Sequence, residues 1–95
     1  RQIRAGVGVT RVAVIGVGRT ARRVMERIVT HPEGGYRLIG FIDPHPRRRF
    51  SAIQGYPVLG STRRLAQLVE HHQVDEVFLA VPKMPQIEVM DLVLA

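Results

Sequence analysis

The first thirty residues carry the feature that most restricts the fold. Arg11–Gly16 (RVAVIG) is an unbroken apolar, β-branched run stopped by glycine. A strand with one wet face alternates apolar and polar residues, whereas a continuous run suits a strand covered on both faces. The next residues, Val17-Gly18-Arg19-Thr20-Ala21, lead straight into a segment with helical period, Thr20–His31. Ala21, Val24, Met25, Ile28 and Val29 fall on one side of it, and Arg22, Arg23, Glu26 and Arg27 on the other. A doubly buried strand that turns at once into an amphipathic helix is the opening of an α/β unit.

The rest of the chain repeats this alternation. Pro32 and Gly34-Gly35 end the helix, and Tyr36–Asp43 (YRLIGFID) is a second apolar run closed by Asp43-Pro44. Residues 44–57 are loop-like, with three prolines and the run Arg47-Arg48-Arg49; Val58–Gly60 adds a short extended piece. Ser61 suits an N-cap for a helix over Thr62–Gln73, with Leu65, Leu68 and Val69 facing inward. Val74–Val81 (VDEVFLAV) is the third buried strand, ended by Pro82, and Pro85 suits the first turn of a last helix through Val93.

The order β-α-β-α-β-α predicts a three-layer α/β fold, a partial Rossmann-like parallel sheet with right-handed crossovers. If this is the first half of a doubly wound fold, the strand order is 3-2-1, with Val74–Val81 lying beyond Tyr36–Asp43. The 95 residues make one domain over 11–95, after a lead-in or linker over 1–10. They show no internal repeat.

Composition removes several function classes. With no cysteine, disulfides and thiolate metal sites are excluded. No apolar stretch approaches the ~18 residues of a membrane span, and no signal peptide follows the basic start. The chain opens without Met and stops inside an apolar periodic segment, so it is expected to be a piece of a longer protein. Its net charge of +6, with thirteen Arg against one Lys, suits a polyanionic partner; Arg excess also arises from GC-rich coding.

The chemistry is expected at the first β-α junction. Gly16, Gly18 and Ala21 form G-x-G-x-x-A, weak alone but meaningful between a buried strand and an amphipathic helix. Gly16 permits the tight turn, Gly18 lets the backbone approach a pyrophosphate, and Ala21 lets the helix pack on the strand. The free N–H groups of the helix start, at Arg19 and Thr20 among others, make an anion site. Arg19 and Arg22 either add charge there or are solvated. The competing view is a tight turn with no ligand.

Asp43 ends the second strand, twenty-two residues after Ala21. An acid there hydrogen-bonds the adenosine ribose and repels a 2′-phosphate, favouring NAD over NADP; its alternative role is starting the Asp-Pro turn. Arg47-Arg48-Arg49 fits a terminal phosphate, acidic headgroups or, most plainly, a solvated loop. Lys83, just past the third strand, is an exposed loop lysine or a phosphate contact. His31, His45 and the pair His71-His72 have no metal-ligand spacing, and Ser51 and Ser61 have no activating base. The aromatic residues form no RNA-binding pattern, and no nucleic-acid partner is expected. The chain reads as a binder, not a catalyst.

The segments RVAVIGVGRTARRV, HPEGGYRLIGFIDPHP and IQGYPVLGSTRRLAQLVEHHQVDEVFLAVP together resemble a Rossmann-like domain of bacterial polysaccharide-biosynthesis proteins, described as CoA-binding-like or NAD-binding-like. The resemblance covers residues 10–95 and is nearest to polyprenyl-phosphate sugar-1-phosphate transferases, which start exopolysaccharide or capsule repeat units on an undecaprenyl carrier. It implies a nucleotide site at Gly16, Gly18, Ala21 and Asp43, with NAD, CoA or a UDP-sugar as ligand classes. It also implies membrane-spanning and catalytic regions elsewhere in the parent, at the cytoplasmic face of the bacterial inner membrane. The strand expected on the far side of the first one is missing from this reading, which leaves the pocket incomplete.

Three other readings stay open. NADH-binding redox-sensing repressors are similar in the turn, the GYPV segment and the LAVP end of the third strand, and imply a winged helix upstream. A nucleotide-sugar dehydratase implies a downstream substrate domain with an acid-base pair. An empty interaction module implies no ligand, and exposed apolar surface at the sheet edge implies pairing between copies.

Overall fold

The computed structural model describes residues 8–45 and 51–81 of the chain. The Arg47–Arg49 run, Lys83 and the helix expected from Pro85 lie outside the described residues. Strand β1 spans Thr10–Ile15, helix α1 Arg19–Thr30, strand β2 Tyr36–Asp43, strand β3 Ala52–Ile53 and strand β4 Tyr56–Ser61. Helix α2, Leu65–His71, and strand β5, Glu76–Leu79, complete the described part. No helix among the described residues is long and apolar enough to cross a membrane.

The architecture is α/β, with a five-stranded, mostly parallel sheet in the order β3-β4-β2-β1-β5. β1 is an interior strand, parallel to β2 on one side and to the edge strand β5 on the other. Both faces of β1 are covered, as its unbroken apolar run requires. Val12 and Val14 join one core cluster with Ala21, Met25 and Ile28 of α1; Ala13 and Ile15 join a second with Leu68 of α2 and Val74. The period-2 alternation of a strand therefore feeds two separate cores, one under each helix layer.

Two expectations need correction. The order 3-2-1 placed Val74–Val81 beyond the second strand, whereas Glu76–Leu79 pairs with β1 on its opposite flank. The neighbour of β2 is instead Tyr56–Ser61, through Phe41↔Val58 and Asp43↔Ser61. Counting the long parallel strands alone, the order is third, second, first, fourth, that of a doubly wound sheet crossing its switch point. The strand missing from the sequence reading is therefore present: it is β5. The third long strand was read only as the short extended piece Val58–Gly60, because Pro57 and Gly60 break its apolar run. It enters from an antiparallel hairpin, Ala52↔Pro57 and Ile53↔Tyr56, closed by Gln54 (φ 50°) and Gly55 (φ 88°). Positive φ at both turn residues is the twist-matched two-residue hairpin turn.

Val29, expected to face inward, is 47% exposed. It follows the buried Ile28 and so lies about 100° around the helix, past the edge of the buried stripe. Tyr36–Asp43 has the bounds expected of it, and the other boundaries differ by one to three residues. Ser61 does act as a cap, its Oγ accepting from Arg63 N at 3.2 Å, but of a 3₁₀ turn, Thr62–Arg64, that precedes α2.

The far end of α2 is held by Arg11. Its Nε donates to Gln73 O and its Nη2 to His72 O, both at 3.0 Å. Its backbone N donates to Asp75 Oδ2 at 2.9 Å, and Asp75 N returns a bond to Arg11 O. The carbonyls of His72 and Gln73 both lie just past the last residue of α2, where a cation opposes the negative end of the helix dipole. Arg11→Ala is expected to lower stability by about 1–2 kcal/mol in urea unfolding, with Arg11→Lys recovering only part because it has no planar fork.

Candidate functional site

Because β1, β2, β4 and β5 run parallel, their carboxyl ends, Ile15, Asp43, Ser61 and Leu79, share one edge of the sheet. The glycine turn leaves β1 there and is held from two sides. Gly16 N donates to Ile42 O of β2, and Ala80 N, just past β5, donates to Ile15 O, both at 2.8 Å.

The two glycines play different parts. Gly16 has φ +131°, and a Cβ on it would lie 2.3 Å from Ala80 O and 3.1 Å from Ala80 C. Only glycine fits. Gly18 is the N-cap of α1 with φ −96° and ψ −157°, values open to any residue. A Cβ there would meet nothing within 4 Å. Packing and backbone conformation thus account for Gly16 and leave Gly18 unexplained.

Ala21 is fully buried, and its Cβ lies 3.4 Å from where a Gly16 Cβ would be, so a larger residue would push the helix off the turn. Arg19 is exposed and Thr20 half-buried in the first turn of α1. That turn has no side-chain cap and no acidic residue, and its first helix-type bond runs from Arg22 N to Gly18 O at 3.1 Å. The earlier N–H groups face the carboxyl edge without a capping oxygen, a ready position for an anion.

Asp43 sits beside this turn, directly after the Ile42 whose carbonyl holds Gly16. It is 3% exposed, the one buried charged residue among those described. Its Oδ1 accepts from His45 N at 2.8 Å, the turn-starting bond expected of Asp-Pro. Its Oδ2 is buried with no hydrogen-bond partner among the described residues. The two roles weighed for Asp43 therefore divide between its oxygens: one starts the turn, and the other is an acceptor still in want of a donor.

The fold thus brings Gly16, Gly18, Arg19, Thr20, Ala21 and Asp43 to one edge. The residue that sequence reasoning missed is Ala80, whose backbone forms the wall behind Gly16. Its signal was a small residue ending a buried strand, which is informative only once that strand is placed next to β1.

A family model described as a CoA-binding domain matches residues 1–94. The chain belongs to this CoA-binding domain family. The protein is 27% identical over 78 residues to the UDP-glucose:undecaprenyl-phosphate glucose-1-phosphate transferase of Xanthomonas campestris pv. campestris. That alignment takes in 81% of this chain and 16% of the transferase. Among solved structures, RSP, a Rex-family repressor, superposes with a TM-score of 0.69 at 20% identity, over 94% of this chain and 42% of the repressor. Its complex with β-NADH gives 0.65 at 19%, over 90% and 40%. At these identities the likeness to the repressor is one of fold, and it agrees with the strand order seen here. This CoA-binding domain is a nucleotide-binding module related in sequence to part of a sugar-phosphate transferase, and it spans less than half the length of each of these proteins.

Proposed function

We propose that the chain is the nucleotide-sensing domain of a bacterial sugar-1-phosphate transferase that starts exopolysaccharide or capsule units on a polyprenyl-phosphate carrier. Its role there is regulatory or structural; the membrane-spanning and catalytic regions belong to the parent, at the cytoplasmic face of the inner membrane. Sequence relation to the undecaprenyl-phosphate transferase supports the parent.

The observation that carries the ligand reading is the pairing of an uncapped α1 N-terminus with the buried, unpartnered Asp43 Oδ2. Gly16 and Ala21 set the turn, and Gly18 gives the backbone of Arg19 and Thr20 close approach to a pyrophosphate. Asp43 Oδ2 then takes a ribose hydroxyl. A carboxylate there repels a ribose phosphate, so the proposed ligand is NAD ahead of NADP, with CoA and UDP-sugars as the other nucleotide classes to be screened.

The test is a thermal-shift screen against NAD, NADH, NADP, CoA and UDP-glucose. A ligand at 100 times its Kd adds about 2.7 kcal/mol of stability through linkage, which is a rise of at least about 10 °C for a domain of this size. Gly18→Val is expected to abolish the shift. Asp43→Asn keeps the acceptor for His45 N but loses the charge, and is expected to weaken NAD about 10–100-fold while narrowing the gap to NADP. No shift with any nucleotide would leave the turn an empty scaffold.

A second reading is favoured by the superposition on the repressor: an NADH-binding redox sensor. It requires a winged helix ahead of residue 1 in the parent, and hydrophobic spans in its place would end it. A nucleotide-sugar dehydratase, the remaining alternative, requires a substrate domain with an acid-base pair downstream.

A further inference from the structure

Past its first turn, which belongs to the proposed nucleotide site, the solvent side of α1 is not used by that site or by either core. Ala21, Met25 and Ile28 bury the inner side of this helix, while Arg19, Arg22, Arg23, Glu26 and Arg27 are all exposed. At 100° per residue these five fall within about 140° of arc, and from Arg19 to Arg27 they cover about 12 Å of helix. Four positive charges against one negative leave this single face with a surplus of three. Among the described residues, none of the four guanidinium groups has an ion pair or a side-chain hydrogen bond. Two turns along the helix from Arg22 and in line with it lies Val29, one of the few large apolar side chains left in water among the described residues.

We propose that this face of α1 is a docking surface for an anionic lipid bilayer. Charge complementarity selects a polyanion, and two details select a lipid surface over a nucleic acid. Glu26 lies in the middle of the arginines, where the fixed phosphates of a duplex would be held against it; mobile headgroups gather at the arginines and leave Glu26 aside. Val29 has no use against a sugar-phosphate backbone but enters the apolar boundary beneath headgroups. The proposal goes beyond the nucleotide reading and does not depend on it, since Arg23 and Arg27 lie one and two turns away from Gly18.

The test is co-sedimentation of the 95-residue chain with phosphatidylcholine vesicles, with and without about 30 mol% phosphatidylglycerol, at about 100 mM salt. Binding to the anionic vesicles and not to the neutral ones is expected, weakening as salt rises. Each basic residue near such a surface contributes about a fivefold factor, so the double variant Arg23→Glu/Arg27→Glu should bind at least about 25-fold more weakly. Arg23→Gln/Arg27→Gln, which keeps good helix formers at exposed positions, guards against a folding defect and should show a drop of about 25-fold with an unchanged melting curve. Equal binding to both vesicle types would overturn the proposal. So would a double variant that binds like the parent chain, including the case where Arg47→Ala/Arg48→Ala/Arg49→Ala alone abolishes binding. Duplex DNA that strips the chain from the vesicles at equal phosphate concentration would assign the face to nucleic acid instead.

Discussion

Replacing Gly16 by alanine is expected to lower the melting temperature by at least about 12 °C, with or without any nucleotide. Two costs combine. The backbone at φ +131° lies where L side chains are strained, which costs about 1–3 kcal/mol by itself. The new Cβ would also stand 2.3 Å from Ala80 O, and that oxygen is backbone, so it cannot swing aside like a side-chain tip. To relieve the contact, the turn must leave Ile42 O or β5 must leave β1. A loss of at least about 3 kcal/mol follows, and each kcal/mol is worth about 4–8 °C in a domain of this length. Gly18→Ala is the matched control. It meets nothing within 4 Å, so its stability should change by no more than about 1 kcal/mol, the scale of an N-cap substitution. The expected pattern is a division of labour: Gly16→Ala acts on folding, Gly18→Ala on ligand affinity. A Gly16→Ala protein melting within about 4 °C of the parent would mean that the clamp against Ala80 does not exist in solution.

That division also marks what the sequence made legible and what it did not. The spacing of Gly16, Gly18 and Ala21 suggested a phosphate-holding turn and gave each glycine its own role, but it could not show how far their structural demands differ. Their separation depends on Ala80, which is 64 residues from Gly16 and reaches it only because β5 lies next to β1. Strands β1 and β2 were readable because each is a long β-branched or aromatic run that needs no partner to be recognised. β4 was readable only as the short piece Val58–Gly60, since Pro57 and Gly60 interrupt it and its stability comes from pairing with β2 and β3. Once that piece is left out of the parallel sheet, β5 takes its number and is assigned to the wrong flank. Local pattern determines which segments are strands; the hairpin of β3 and β4 and the crossover through α2 determine where they lie.

The same limit applies to Asp43. Its position at a strand end pointed to a ribose contact somewhat more than to a turn, and both use the same residue type in the same place. Only burial tells them apart. An exposed turn aspartate would have its second oxygen in water, whereas Oδ2 of Asp43 is closed off without a partner. An unpaired buried acceptor costs about 1–3 kcal/mol, a cost that a ligand hydroxyl would relieve. The observation therefore supports the proposed ligand, while Oδ1 serves the turn.

Phe41→Ala is the second large expected effect, a loss of about 3–5 kcal/mol. Phe41 is fully buried in β2, opposite Val14 and Val58. Its direction is not what simple alternation gives. Leu38 and Phe41 both join the α1-side core although they are three residues apart, an odd spacing that should put them on opposite faces. The register explains this: Val12 pairs with Leu38 but Ala13 with Gly40, so Ile39 is an extra residue that reverses the alternation. A double-mutant cycle tests the arrangement. Phe41→Ala and Met25→Ala, in the same cluster, should be non-additive by at least about 0.5 kcal/mol, whereas Phe41→Ala and Leu68→Ala, in opposite clusters, should add. Coupling to Leu68 in place of Met25 would mean that β2 runs without the extra residue and that Phe41 faces the other layer.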